Sequence, residues 1–174
     1  MGTEEFEKFV ASQQVTDPDI ETRDEWLKDL DSLYQRIDGF LEKYIKGGSI
    51  SRDFAEIELT EPGIGAYFAK RMDIKIGRQH VTLVPVGTLL VGCKGRVDAE
   101  GSGGRAQILL VDERAKSAAD LIKVTVSVGE TRPAAAAQKP RSWAWKILTN
   151  SAQRRFVELD QKTFFDLLTE IASA

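Results

Sequence analysis

The chain has 174 residues, 42% of them hydrophobic and 29% charged, which suits a folded globular domain and excludes a disordered or fibrous one. Its one cysteine, Cys93, excludes an intramolecular disulfide framework and a zinc site built from several thiolates. The net charge of −3 is unevenly spread: residues 1–31 carry ten acidic and three basic side chains, whereas residues 132–155 carry six basic ones and no acid, so the two segments either pair within the fold or steer a partner.

The first residues, Met1 to Lys8, lack the basic and apolar regions of a secretory signal, and no stretch approaches the roughly 18 apolar residues of a membrane span. The expected setting is the cytoplasm, without a membrane. A short helix is predicted over 4–13, with Thr3 as cap and Phe6, Phe9 and Val10 on one face. A long helix is predicted over 22–46. Thr22 and Glu25 match a capping box, and Trp26, Leu30, Leu33, Ile37, Leu41 and Tyr44 recur every three or four residues. Gly47-Gly48 ends it.

From residue 54 the period changes to two. Strands are predicted at Ala55–Leu59, Met72–Ile76, His80–Val86, Leu89–Val97, Ala106–Val111 and Leu121–Val128. Pro85 and Gly87 point to an edge or a bulge, and Gly101 to Gly104 to a hairpin turn. Residues 114–119 form a helical turn in this reading. Residues 129–141, with two prolines and four alanines, read as a mobile loop. Trp143, Trp145 and Ile147 then share one face of a seventh strand, and 154–159 supply an eighth. A final amphipathic helix spans 161–172, with Asp160 as cap and Phe164, Leu167, Leu168 and Ile171 as its stripe.

The expected architecture is a single α+β domain over 1–174. A helical segment (1–48) precedes a largely antiparallel sheet of six to eight strands (54–159), and a helix closes the chain.

Chemical motifs are sparse. The only histidine, His80, has no obvious nucleophile beside it, and Cys93 in an apolar run reads as a buried thiol. Gly101-Ser102-Gly103-Gly104-Arg105-Ala106 matches G-x-G-x-x-A. Dinucleotide binding needs a helix after that turn, and here a strand follows. Asp112, Glu113, Arg114 and Lys116 follow a buried strand and read as the start of a loop. Asp73-Ile74-Lys75 resembles the local form of the PD-(D/E)xK nuclease motif, with Asp53, Glu56 or Glu58 as a second acid. In that alternative the acids hold Mg²⁺ and the lysine orients water, although the proline-aspartate pair is missing.

Otherwise no cofactor and no metal are expected. Trp143 and Trp145 within the basic stretch raise nucleic-acid binding, but the tryptophan spacing reads as core and the overall acidity opposes it. A curved sheet holding a small ligand is a further option. The leading expectation is a non-catalytic protein-interaction or accessory module with a protein partner. Asp24, Glu25 and Asp29 on one side, and Arg141, Arg154 and Arg155 on the other, are its candidate contact residues.

Overall fold

In the computed structural model the described residues are 2–14, 18–88, 92–120, 142–149 and 154–172. Two helices, α1 (Gly2–Gln14) and α2 (Pro18–Lys46), lead into seven strands: β1 (Ile50–Glu61), β2 (Gly65–Ile76), β3 (Gln79–Gly87), β4 (Cys93–Gly101), β5 (Gly104–Asp112), β6 (Trp143–Leu148) and β7 (Phe156–Glu158). The helix α3 (Gln161–Ala172) follows. Every neighbouring pair is antiparallel, and the strands lie side by side in chain order. The α+β class, the leading helices, the antiparallel sheet and the closing helix are those expected. The strand expected at 121–128 and the loop expected at 129–141 lie outside the described residues.

The stripe read from the sequence buries α2: Trp26, Leu33, Ile37 and Leu41 are fully enclosed. The helix starts earlier than expected. Pro18 is its first residue, a position where the missing N–H costs nothing, so Thr22 and Glu25 lie within the helix instead of capping it. It ends as expected. Gly48 takes a positive φ of 80°, and the Gly47 and Ser49 N–H groups donate to the Lys43 and Tyr44 carbonyls. The α3 cap is also as read: the Thr163 N–H donates to Asp160 Oδ1 at 2.8 Å, and the Thr163 hydroxyl accepts from the Asp160 N–H at 2.9 Å.

The first hairpin is longer than its alternating pattern indicated. Strands β1 and β2 pair without a break from Ile50↔Ile76 to Glu61↔Gly65. Strand β2 pairs with β3 only over Met72–Ile76. Beyond Met72, β1 and β2 run on as a two-stranded ribbon, and the buried side of β2 changes: Met72 and Ile74 are enclosed, but so are Tyr67 and Ala69, which have the opposite parity. Register shifts fall at Pro85/Gly87, as expected, and at Cys93/Gly95.

Helices α2 and α3 pack on one face of the sheet. Phe40 meets Phe164, Tyr44 meets Phe165 and Trp26 meets Trp145, with ring centroids 5.7–6.2 Å apart. Close approach needs glycine at two points. A Cβ at Gly95 would fall within the Trp26 ring, and one at Gly101 would strike the Ile171 carbonyl. The other face carries a smaller cluster of Leu109, Val111, Ala115 and Leu148, with Cys93 and Phe156 against it. Trp143 departs from the expected core face. It is 37% exposed, whereas Trp145 is buried, because Trp143 sits at the strand end opposite Asp112.

Candidate functional site

Asp73 and Lys75 lie on β2, on the face away from α2. Asp73 stands directly across from Asp53 on β1 and Thr82 on β3; Lys75 stands across from Ser51 and His80. The two carboxylates therefore share a row of the sheet. Arg71, two residues along the same strand, takes both Asp73 oxygens, at 3.1 Å each. Arg96 and Asp98 repeat the pattern on β4 at 2.7 and 2.9 Å, and Arg105 pairs with Glu100. Three ion pairs, Arg71–Asp73, Arg96–Asp98 and Arg105–Glu100, thus neutralise much of the charge on this face. Among the described residues no three His, Cys, Asp or Glu side chains are placed to hold a metal ion.

His80 and Cys93 occupy opposite ends of the β3–β4 pair, since Val81 faces Gly101 while Cys93 begins β4. Burial pushes the Cys93 thiol up to about 11, with only partial opposition from Arg96, which makes it a weak nucleophile. Gly101–Gly104 is the tight turn between β4 and β5. Asp112 begins a loop by binding the Arg114 backbone N–H and guanidinium at 2.9–3.1 Å.

The acidic candidates separate. Glu25 and Asp29 reach Lys94 at the start of β4, at 3.4 and 3.2 Å, and so pair within the fold. Among the described residues Asp24 pairs with its neighbour Arg23, and its side chain is 63% exposed. Arg141 lies outside the described residues. Arg154 has a positive φ of 46°. Its carbonyl accepts from the Ala118 N–H, and the Arg155 carbonyl accepts from the Thr149 N–H. These two backbones stitch the 115–120 turn to the β6–β7 connection.

Lys146 sits in the basic stretch but is not a surface charge. Only 4% of it is exposed. Its Nζ donates to the Glu113 and Ala115 carbonyls at 2.6 and 2.7 Å and pairs with Glu158 at 3.3 Å. A cavity of about 670 Å³ opens beside it, lined by Lys116, Lys146 and Arg155 and by Glu113, Asp120 and Glu158. Three cations against three acids give it no preference for either sign, and Lys146 already spends its three donors.

Two features escaped the sequence reading. Glu61 is a buried carboxylate held by Tyr67 and Thr88; a glutamate closing a strand carries no signal of burial. The second is how α1 sits. Its apolar face was legible, but no residue from Gly2 to Phe9 is buried. Phe6 and Phe9, 63% and 58% exposed, touch each other at 6.4 Å between ring centroids. Glu4, Glu5 and Glu7 flank them. No described helix is long and apolar enough to cross a membrane. Comparison with protein-family models, with curated proteins and with solved structures finds no match to this chain in any of the three.

Proposed function

We propose that this chain is a non-catalytic protein-interaction module that works through α1. The observation that carries the reading is the exposure of Phe6, 63%, with Phe9 beside it, on an acidic helix. A large aromatic side chain this exposed on an amphipathic helix gains further burial when a partner covers it. Asp24, exposed near the start of the next helix, adds negative charge that favours a basic partner. A reducing compartment such as the cytoplasm suits a chain whose single thiol is half-buried.

The test compares the tagged protein with its Phe6→Ser/Phe9→Ser variant in capture from nuclease-treated lysate of the source cells. The wild type is expected to retain one stoichiometric protein, and the variant to lose it while unfolding at the same temperature. Equal retention by both, or none by the wild type, overturns the reading.

A further inference from the structure

Strand β1 is the first of the seven in the sheet. It is 12 residues long, contains neither proline nor glycine, and keeps an unbroken register with β2. Among the described residues β2 is its only partner strand. No residue from Ser51 to Thr60 is buried. An edge of this length, unblunted by bulge or proline, exposes a row of free backbone donors and acceptors, which is a template for another strand.

The side chains define what fits. Ala55, Ile57 and Leu59 point to one face and are partly covered, while Glu56 and Glu58 point to the other and are exposed. The nearby arginine, Arg52, is already held by Asp38 through two bonds of 2.7 Å. Between α2 and the ribbon, Asp31, Glu56 and Lys70 line a groove of about 210 Å³ whose walls include Leu27 and the 63%-exposed Phe68; Lys70 stands across from Glu56 on β2 and lies 5.9 Å from the Phe54 ring centroid, while Glu58 stands across from Phe68. A second copy of the chain is a poor occupant. In full antiparallel overlap Asp53 meets Glu58 twice, and in parallel overlap each glutamate meets itself, and like charges directly opposite destabilise a pair.

We propose that the outer edge of β1 receives an extended partner segment in which apolar and basic residues alternate. Its apolar side continues the row of Ala55, Ile57 and Leu59, and its basic side meets Glu56 and Glu58. This surface is separate from the aromatic face of α1 and does not depend on it.

The probe is a fluorescein-labelled acetyl-Val-Lys-Val-Lys-Val-Lys-Val amide, followed by anisotropy and by amide hydrogen exchange. The expected result is saturable binding that weakens with salt, with at least tenfold slower exchange confined to amides of Ile50–Glu61. A Glu56→Lys/Glu58→Lys variant, folded by circular dichroism, should bind this peptide at least tenfold more weakly and bind the glutamate counterpart instead. Phe6→Ser/Phe9→Ser should bind it as the wild type does, so the two surfaces stand or fall separately. Absence of saturable binding, protection outside β1, or indifference to the charge swap overturns the proposal.

Discussion

Tyr67 gives its hydroxyl hydrogen to the carboxylate of Glu61, which also accepts the Thr88 N–H at 2.7 Å and the Thr88 hydroxyl at 2.9 Å. The contact spans the place where β2 has already left β3, and it ties the free ribbon to the end of β3. Replacing Glu61 by alanine strands a buried phenol and a backbone N–H. We expect a loss of about 2–3 kcal/mol, seen as a lower urea midpoint. Gly87→Ala should act on the same joint, because a Cβ there meets the Glu61 carboxylate and the backbone φ is +140°.

The two buried tyrosines make the fold sensitive to alkali. Burial, then the Glu61 carboxylate, pushes the Tyr67 hydroxyl well above the ordinary phenol range. Burial, then Asp31 and Asp73, does the same for Tyr34. The unfolded chain releases these protons near pH 10 while the folded chain keeps them. Above that pH the unfolded state binds fewer protons, so stability falls as pH rises; below it the contribution is complete. Urea midpoints should drop between pH 10 and 12. Tyr34→Phe should lower the midpoint at pH 7, since Tyr34 donates to the Lys70 carbonyl at 2.5 Å, but should soften the alkaline decline.

Gly95→Ala places a methyl within the enclosed Trp26 ring. We expect about 1–3 kcal/mol of destabilisation and a shifted tryptophan emission. Gly39→Ala serves as the reference: its Cβ meets nothing and it lies within α2, so it should be neutral or stabilising.

Lys146→Met keeps the stem but removes the ammonium group from the Glu113 and Ala115 carbonyls. An apolar end facing two carbonyls and Glu158 should cost about 2–3 kcal/mol. Hydrogen exchange should quicken first at the Ala115 and Phe156 amides, which bond to Asp112 and Lys116 in the same turn.

Charge reversal should sort the acidic residues of α2. Asp29→Lys opposes Lys94 and should lower stability by about 1 kcal/mol. Asp24→Lys, at an exposed position paired with its neighbour Arg23, should change it by less than about 0.5 kcal/mol. Thermal melts of the two single variants distinguish a charge used in the fold from one left for a partner.

The helices were legible because their apolar residues keep one period and one face: the Trp26–Leu41 stripe and the Phe164–Ile171 stripe both became core. The β1–β2 ribbon was legible only in part: its strands were read at Ala55–Leu59 and Met72–Ile76, but the first half of β2 was missed because its buried positions change parity between Ala69 and Met72 and so break the alternation that marks a strand. Thr22 and Glu25 fit a capping box, but so strong a local motif yields when Pro18 offers an earlier start. Among the candidate contact residues, Glu25 and Asp29 looked like Asp24 in sequence. The difference is Lys94, about 65 residues away, which no local pattern reveals. Lys146 looked like part of a basic surface for the same reason: its acceptors belong to a turn more than 30 residues earlier.

Strand order in space repeats strand order in the chain, and this shapes how the molecule is reached as well as what it is. Each pairing from β1 to β5 closes through a short connection onto the strand just laid down, so the chain loses little loop entropy at each step. The costly closures are β5 with β6, across residues 113–142, and Trp26 of α2 with Gly95 and Trp145. On refolding, the far-ultraviolet signal of the first strands should therefore lead, and the enclosure of Trp26 against Trp145, read by tryptophan fluorescence, should follow as the slower event.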